Sequence, residues 1–105
     1  MKITFVHSPT IQYDQNYGAL FSPMWAYTLA SHVPDIWDIG IIDCIVQEPD
    51  RIGSADIFAF SGINQDFDSI RHTYDILKQK YSEAIFILGG PITWSMEQEG
   101  KLSLL

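Results

Sequence analysis

The sequence has 105 residues, of which 47% are hydrophobic and 18% charged, a composition typical of one folded domain. Its net charge is −7 and its six basic residues are scattered, which argues against nucleic acid or a membrane surface as a partner. The single cysteine, Cys44, excludes an internal disulfide and a thiolate metal cage. No apolar run approaches the ~20 residues of a membrane span and no cleavable leader is recognisable, so we expect a cytoplasmic protein.

The first half of the chain predicts two strands separated by a loop and a helix. Residues 3–6 form a β-branched and aromatic run, which we expect to be a central strand. The polar and aromatic stretch 10–21 predicts a long loop of the kind that usually carries function. A helix over residues 24–33 and a strand over residues 36–46 follow. The predicted buried stripe of the helix is Trp25, Leu29 and Val33.

The second half predicts a short crossover, a strand, a long helix and a further strand. Residues 47–55 have room for a single helical turn or an irregular crossover, and residues 56–60 form the third strand. The helix over residues 66–81 has the clearest periodicity in the chain. Its apolar face is Phe67, Ile70, Tyr74, Leu77 and Tyr81. Residues 84–88, closed by Gly-Gly-Pro, predict a strand that is buried on both faces.

This order of elements predicts an α/β fold. We expect a flavodoxin-like (Rossmann-like) three-layer sandwich with a mainly parallel sheet of four or five strands. Residues 1–105 make a single domain, and the usual fifth strand of this fold has no counterpart in them. We therefore expect the chain to be a fragment of a longer protein.

Three predicted strands end in residues suited to ligand binding. The carboxyl ends of parallel strands meet at one edge of the sheet, where ligands of open α/β folds bind. The residues that converge there are His7, Ser8 and Pro9, then Ser61 and Gly62, then Gly89, Gly90 and Pro91. Glycines let a ligand approach the backbone, although a tight turn is the more common reason for glycines at such a position.

Familiar nucleotide and phosphate motifs are missing from this edge. The sequence has neither G-x-G-x-x-G after the first strand nor G-x-x-x-x-G-K followed by Ser or Thr. Ser8 and Thr10 supply only part of a flavin-phosphate loop, and Pro9 removes an amide from it. No acidic cluster follows the first strand, which excludes a phospho-acceptor domain. A large, flat and mostly neutral ligand suits the remaining residues.

The strand ends resemble those of the cobalamin-binding module that precedes the radical domain of radical S-adenosylmethionine enzymes. That family shows a first strand ending near Pro, a Pro-led helix, a strand ending in Asp, a strand ending in Ser, and a strand similar to VVLGGP. The corresponding pieces here are ITFVHSP, SPMWAYTLA, IGIIDC, ADIFAFSGI and IFILGGP. The resemblance extends over residues 2–93, and IFILGGP is its most specific part.

The resemblance implies that cobalamin binds at the carboxyl edge. Ser61 would reach the nucleotide tail of the cofactor, and Gly89 and Gly90 would leave room for it. Residues 7–10 and the loop around residues 13–18, which includes Tyr17, would border the corrin ring. The expected cofactor-binding set is therefore His7, Ser8, Pro9, Thr10, Tyr17, Ser61, Gly62, Gly89, Gly90 and Pro91.

One family motif is missing. Related methyltransferase and mutase modules carry D-x-H-x-x-G after the first strand, and its His is the lower ligand of cobalt. Here no His lies between Asp14 and Gly18, so we predict no metal-ligating residue. Radical S-adenosylmethionine members often lack this His, and its absence is compatible with cobalamin.

The iron–sulfur motif C-x-x-x-C-x-x-C is also missing, and one cysteine cannot hold such a cluster. We therefore expect the chain to be non-catalytic by itself. The iron–sulfur cluster, S-adenosylmethionine and the reaction would belong to a downstream radical domain of the same polypeptide, which is the expected partner.

Two alternatives stay open. A cofactor-free docking domain of the same fold would bind a catalytic partner through the aromatic loop and the open sheet edge. A free-standing flavin or nucleotide binder would lack the downstream domain.

Overall fold

Four parallel strands form the sheet in this computed structural model, which describes residues 1–9, 24–44, 47–98 and 100. The strands are β1 (Lys2–His7), β2 (Asp38–Asp43), β3 (Ile57–Ser61) and β4 (Ile85–Gly89), in the order β2-β1-β3-β4. The helices are α1 (Met24–Ala30), α2 (Phe67–Lys80) and α3 (Pro91–Gln98). Single 3-10 turns lie at Pro49–Arg51 and Asn64–Asp66. The α/β class and the parallel sheet are as the sequence predicts.

The strand β1 is central, as predicted, and pairs in register with β2 and β3. Alternate residues of a strand point to opposite faces of the sheet. One face therefore carries a row in which Val6 aligns with Ile42 and Phe60. The other face carries Phe5 and Ala59, which are also paired. Both faces of the centre of the sheet are apolar, as a sheet between two helical layers requires.

Helix α2 covers the first face, and its predicted apolar stripe is confirmed. Ile70 and Leu77 are buried, and both pack in a core cluster with Val6, Phe58 and Phe60. Phe67, Tyr74 and Tyr81 are partly buried against the same cluster. The crossover before β3 is one short turn, as expected, and it brings Ile52 into this core.

Helix α1 covers the second face, where Trp25 and Val33 pack against the core as predicted, but it is shorter than predicted and Leu29 lies outside the buried face. It ends at Ala30 rather than near residue 33, and Leu29 is 51% exposed. Ala26 is fully buried in a cluster with Phe5. A small residue brings the helix axis close to the sheet, so the buried face passes through Ala26 and Ala30 instead of Leu29.

The burial predicted for the last strand is wrong on one face. Phe86 and Leu88 pack against the α2 core, but Ile85 is 59% and Ile87 48% exposed. The reason is topological, because β4 is an edge strand and α1 lies over the centre of the sheet. The other edge strand, β2, is similarly open at Ile39, and it is shorter than predicted, at Asp38–Asp43.

Within the described residues, no helix has the length and apolar character needed to cross a membrane.

Candidate functional site

The carboxyl edge brings together the ends of β1, β2, β3 and β4. His7 is the register partner of Asp43 across β1 and β2, and Ser61 is the partner of Gly89 across β3 and β4. Because all four strands are parallel, these ends lie on the same edge of the sheet. The strand ends from which the sequence predicts a site are thus adjacent in the fold.

Gly90 and Ser61 form a tight pair at this edge. Gly90 has φ +87°, a left-handed conformation that favours glycine. A Cβ added there would overlap Ser61 Oγ and lie 3.4 Å from the backbone nitrogen of Gly62. Gly90 is therefore required by the backbone itself, since only a residue without a side chain lets the turn after β4 close onto the end of β3.

Gly89 and Gly62 have opposite surroundings. A Cβ added at Gly89 would meet nothing within 4 Å among the described residues. A Cβ at Gly62 would lie 2.9 Å from both Asp66 Oδ2 and Ile70 Cδ1, and its carbonyl accepts a hydrogen bond from the Ile92 N–H. Gly62 is consequently closed in by the chain, whereas Gly89 borders open space in which a ligand can approach the backbone.

The Ser61 hydroxyl lies between these glycines. The residue is half-buried, and within residues 1–9, 24–44, 47–98 and 100 its Oγ has no hydrogen-bond partner. Pro91, next in the chain after Gly90, is exposed and begins α3. Ser61 and Gly89 thus present a hydroxyl beside an open strip of backbone.

Ser8 lies at the same edge but is turned into the helical layer. Its side chain is 2% exposed, and its Oγ is 2.8 Å from Thr73 Oγ1 and 3.0 Å from Ser69 Oγ. Ser69 Oγ in turn donates to the Pro9 carbonyl at 3.2 Å. We call these residues, with Cys44, the hydroxyl cluster: Ser8, Ser69, Thr73 and Cys44. The bonds join the end of β1 to α2, so Ser8 and Pro9 contribute to the site by holding the edge in place.

Cys44 follows β2 and belongs to this cluster. Burial raises the pKa of its thiol, although hydrogen bonds with Thr73 and Ser8 act in the opposite direction, and the nearby carboxylates of Asp43 and Glu48 raise it further. The thiol is therefore protonated at neutral pH and is a poor nucleophile.

We expect Cys44 to react with iodoacetamide several-fold more slowly in the folded chain than in urea at pH 8. Because the pKa of Cys44 is raised from its ordinary value of 9.0, the neutral thiol contributes stability that is fully present below that pH. This contribution is lost as pH rises through the raised folded-state pKa. Because the chain has one cysteine, mass spectrometry of the labelled protein measures this site alone. Equal rates with and without urea would contradict the burial of the thiol.

His7, at the end of β1, is held by α1, whereas Ser8 is held by α2. Its Nδ1 accepts a hydrogen bond from Trp25 Nε1 at 3.1 Å, and the two rings are 6.2 Å apart. An acceptor Nδ1 places the proton of the neutral imidazole on Nε2. The sequence assigns Trp25 to core packing alone, and its contact with His7 depends on how α1 lies across β1, which periodicity does not specify.

Two residues of the expected set, Thr10 and Tyr17, lie outside the described residues. Within the described ranges, no group of three His, Cys, Asp or Glu residues could hold a metal ion.

The chain matches no protein-family model, no curated protein and no solved structure. What bears on function is therefore the geometry of the edge and the sequence pattern at the strand ends.

Proposed function

We propose that this chain is a non-catalytic binding module whose ligand is a cobalamin-type corrinoid, held at the carboxyl edge of the sheet. The observation that carries the proposal is that Ser61, which bears a hydroxyl, is the register partner of Gly89, whose backbone borders open space. Fold alone would be a weak argument, because many unrelated functions share this architecture. The residues at the strand ends supply the remaining support for a corrinoid ligand.

The described residues fit the tail side of such a ligand. A corrinoid tail carries amide, hydroxyl and phosphate groups, with which a serine hydroxyl exchanges hydrogen bonds. Gly89 leaves the adjacent backbone accessible, as an extended tail requires. No Lys or Arg lies at these strand ends, so hydrogen bonds and not ion pairs would hold the tail.

His7 would not coordinate the cobalt of the corrinoid through Nδ1, because that atom accepts the hydrogen bond from the Trp25 N–H. When bound, the corrinoid would supply its cobalt–carbon chemistry to a reaction elsewhere. The residues of this chain bind and orient it: His7, fixed by Trp25, borders one side of the edge, and Ser61, fixed by Gly90, borders the other.

The same proposal places catalysis in a downstream domain. That domain would hold the iron–sulfur cluster and S-adenosylmethionine, and it would be the partner of this module within one polypeptide. The resemblance of the strand ends to modules that precede such domains supports this part.

A titration with hydroxocobalamin tests the proposal. We expect saturable changes in the visible spectrum and co-elution on a sizing column. Gly89→Trp should weaken binding by more than about tenfold, or ~1.4 kcal/mol, because the indole fills the open space. The matched control is Gly53→Trp, since an added Cβ at Gly53 also meets nothing within 4 Å and Gly53 precedes β3, at the opposite end of the sheet.

The outcomes separate the alternatives. Binding that Gly89→Trp abolishes and Gly53→Trp leaves intact supports a corrinoid at this edge. Equal loss in both variants, or no loss in either, would place the ligand elsewhere. No binding at all would overturn the cofactor proposal and favour the cofactor-free docking domain.

A further inference from the structure

Polar side chains from three neighbouring strands lie in one row at the carboxyl edge. His7 is the register partner of Asp43. Val6 pairs with Phe60, so His7 and Ser61, the next residue of each strand, also lie side by side. His7 is bonded to α1, and the row therefore belongs to the face of the sheet that α1 covers. Neighbouring strands are about 4.8 Å apart, so the row spans roughly 10 Å. We call Asp43, His7 and Ser61 the polar row.

The corresponding positions on the α2 face are closed by the chain itself. Ser8 and Cys44 belong to the hydroxyl cluster that joins the edge to α2. Gly62 is closed in by side-chain atoms that would lie 2.9 Å from an added Cβ. Polar groups that already have protein partners gain little from a ligand, whereas groups without a partner gain a hydrogen bond. A ligand of this edge is therefore expected on the α1 face.

The polar row keeps two donors that the described part of the chain does not use. The Nδ1 atom of His7 accepts the Trp25 N–H at 3.1 Å, so the proton of the neutral ring is on Nε2. Among the residues that the structure describes, neither His7 Nε2 nor Ser61 Oγ has a hydrogen-bond partner, and His7 makes no bond to Asp43 beside it. The row thus presents an N–H and an O–H next to a carboxylate.

The charge around the polar row is negative. Asp43 belongs to the row, and no Lys or Arg occurs from residue 3 to residue 50, a range that includes the ends of β1 and β2 and all of α1. The first basic residue after β3 is Arg71, which belongs to α2 on the other face and pairs with Asp75 at 3.1 Å. A carboxylate of a ligand would therefore meet a like charge at Asp43 without a compensating cation.

We propose that the polar row binds primary carboxamide groups of the ligand. The His7 Nε2–H and the Ser61 hydroxyl donate to carboxamide oxygens, and Asp43 accepts from a carboxamide NH₂ group. A carboxylate has about four acceptor positions, so other contacts of Asp43 leave room for this one. The inference rests on the proposed function, because a corrinoid carries primary carboxamides around its ring, and it adds which groups of that ligand the edge selects.

The chemistry of the row favours a carboxamide over charged groups. A primary carboxamide has both a donor and an acceptor, as the row requires, whereas a carboxylate has no donor and an ammonium group has no acceptor. Hydrogen bonds of about 2.9 Å on each side let one carboxamide bridge the side chains of neighbouring strands.

Trp25 is the positioning residue of the row. Its indole packs edge-on against Phe5, with the ring centroids 6.3 Å apart, and its N–H occupies Nδ1 of His7. Without this donor the imidazole can carry its proton on either nitrogen. The tautomer protonated on Nδ1 would present an acceptor to the oxygen of the ligand, so Trp25 selects the tautomer that can donate.

The first test compares hydroxocobalamin with its separated monocarboxylic acids, in each of which one ring carboxamide is replaced by a carboxylate of similar shape. We expect the chain to bind at least one acid more than about tenfold more weakly, because that carboxylate would face Asp43. Asp43→Asn should remove most of this discrimination, since the asparagine amide donates to a carboxylate. Asp38→Asn, the same charge change at the other end of β2, should leave it unchanged.

The second test measures the tautomer of His7 in the free chain by ¹⁵N NMR. We expect the proton of the neutral imidazole on Nε2, and a mixture of both tautomers in Trp25→Phe. Trp25→Phe should also weaken hydroxocobalamin by about three- to tenfold. The matched control is Trp37→Phe, because Trp37 packs in the same core cluster and makes no described bond to His7, and it should change neither the tautomer nor the affinity.

Variants of His7 test the donated hydrogen bond. His7→Phe should weaken hydroxocobalamin by about three- to tenfold, whereas His7→Gln, which keeps an N–H donor, should retain more of the affinity. His72→Phe, at an exposed position of α2, should have no effect.

The outcomes distinguish this inference from the proposed function. No binding of hydroxocobalamin by the parent chain would overturn both. Binding of the acids and of hydroxocobalamin with equal affinity, or discrimination that Asp43→Asn leaves unchanged, would overturn the carboxamide site alone. A proton on Nδ1 of His7 in the free chain, or loss of the Nε2 proton when hydroxocobalamin binds, would overturn the donor role of His7 and the positioning role of Trp25.

Discussion

Replacing Phe58 with alanine is expected to lower the free energy of unfolding by about 3–5 kcal/mol, the range for large aromatic truncations in a core. Phe58 is fully buried at the centre of the α2 layer. Its ring lies 5.8 Å from that of Tyr81 and 5.5 Å from that of Phe86. Alanine would leave a cavity between three elements that the aromatic rings join, namely β3, β4 and the end of α2.

Urea unfolding followed by circular dichroism measures this loss. The matched control is Tyr27→Ala, an aromatic truncation in α1 at a residue 53% exposed, for which we expect a change within about 0.5 kcal/mol. The slope of the free energy with urea should be unchanged in both variants, so that the midpoints report stability. A loss below about 1 kcal/mol for Phe58→Ala would mean that β3 is not packed beneath α2 as described.

The part of the fold that could be predicted is the part governed by local periodicity. The face of α2 follows from the spacing of apolar residues such as Ile70 and Leu77, and both are buried. The sheet class follows from short apolar strands joined by helical crossovers. These properties depend on neighbours within a few residues of each other, so a single sequence contains them.

The features that could not be predicted depend on contacts between distant parts of the chain. Ile85 and Ile87 are as apolar as Phe86 and Leu88, and only the position of β4 at the edge leaves the first pair exposed. Ser8 is bonded to Thr73, which is 65 residues away. Hydroxyl pairs of this kind have no spacing rule, so the sequence marks Ser8 as an edge residue but not as a buried one.

The candidate site shows the same division. Gly89 and Gly90 are adjacent glycines that the sequence alone does not distinguish, and both are expected at a ligand-binding edge. In the structure Gly89 borders open space, whereas Gly90 is constrained by φ +87° and by Ser61. The tertiary structure thus leaves the backbone of Gly89 accessible and uses Gly90 for the turn that positions Ser61.

Gly90→Ala is accordingly expected to lower the free energy of unfolding by roughly 2–5 kcal/mol. The left-handed conformation contributes about 1–2 kcal/mol for a residue with a Cβ, and overlap with a packed neighbour contributes about 1–3 kcal/mol. The neighbour is Ser61 Oγ, and the backbone of Gly62 behind it cannot move without displacing the end of β3. Gly89→Ala, next in the chain, is the matched control, because an added Cβ there meets nothing within 4 Å.

A double-mutant cycle with Ser61→Ala separates the two causes. Removing Oγ leaves Ser61 Cβ at 3.4 Å from the Cβ added at position 90, which is an ordinary contact. Ser61→Ala should therefore restore the overlap part, about 1–3 kcal/mol, in the Gly90→Ala background, and change the parent chain by less. The conformational part should persist in the double variant, because it depends on φ alone. Strict additivity of the two substitutions would contradict the Gly90–Ser61 contact, and with it the arrangement that presents the Ser61 hydroxyl beside Gly89.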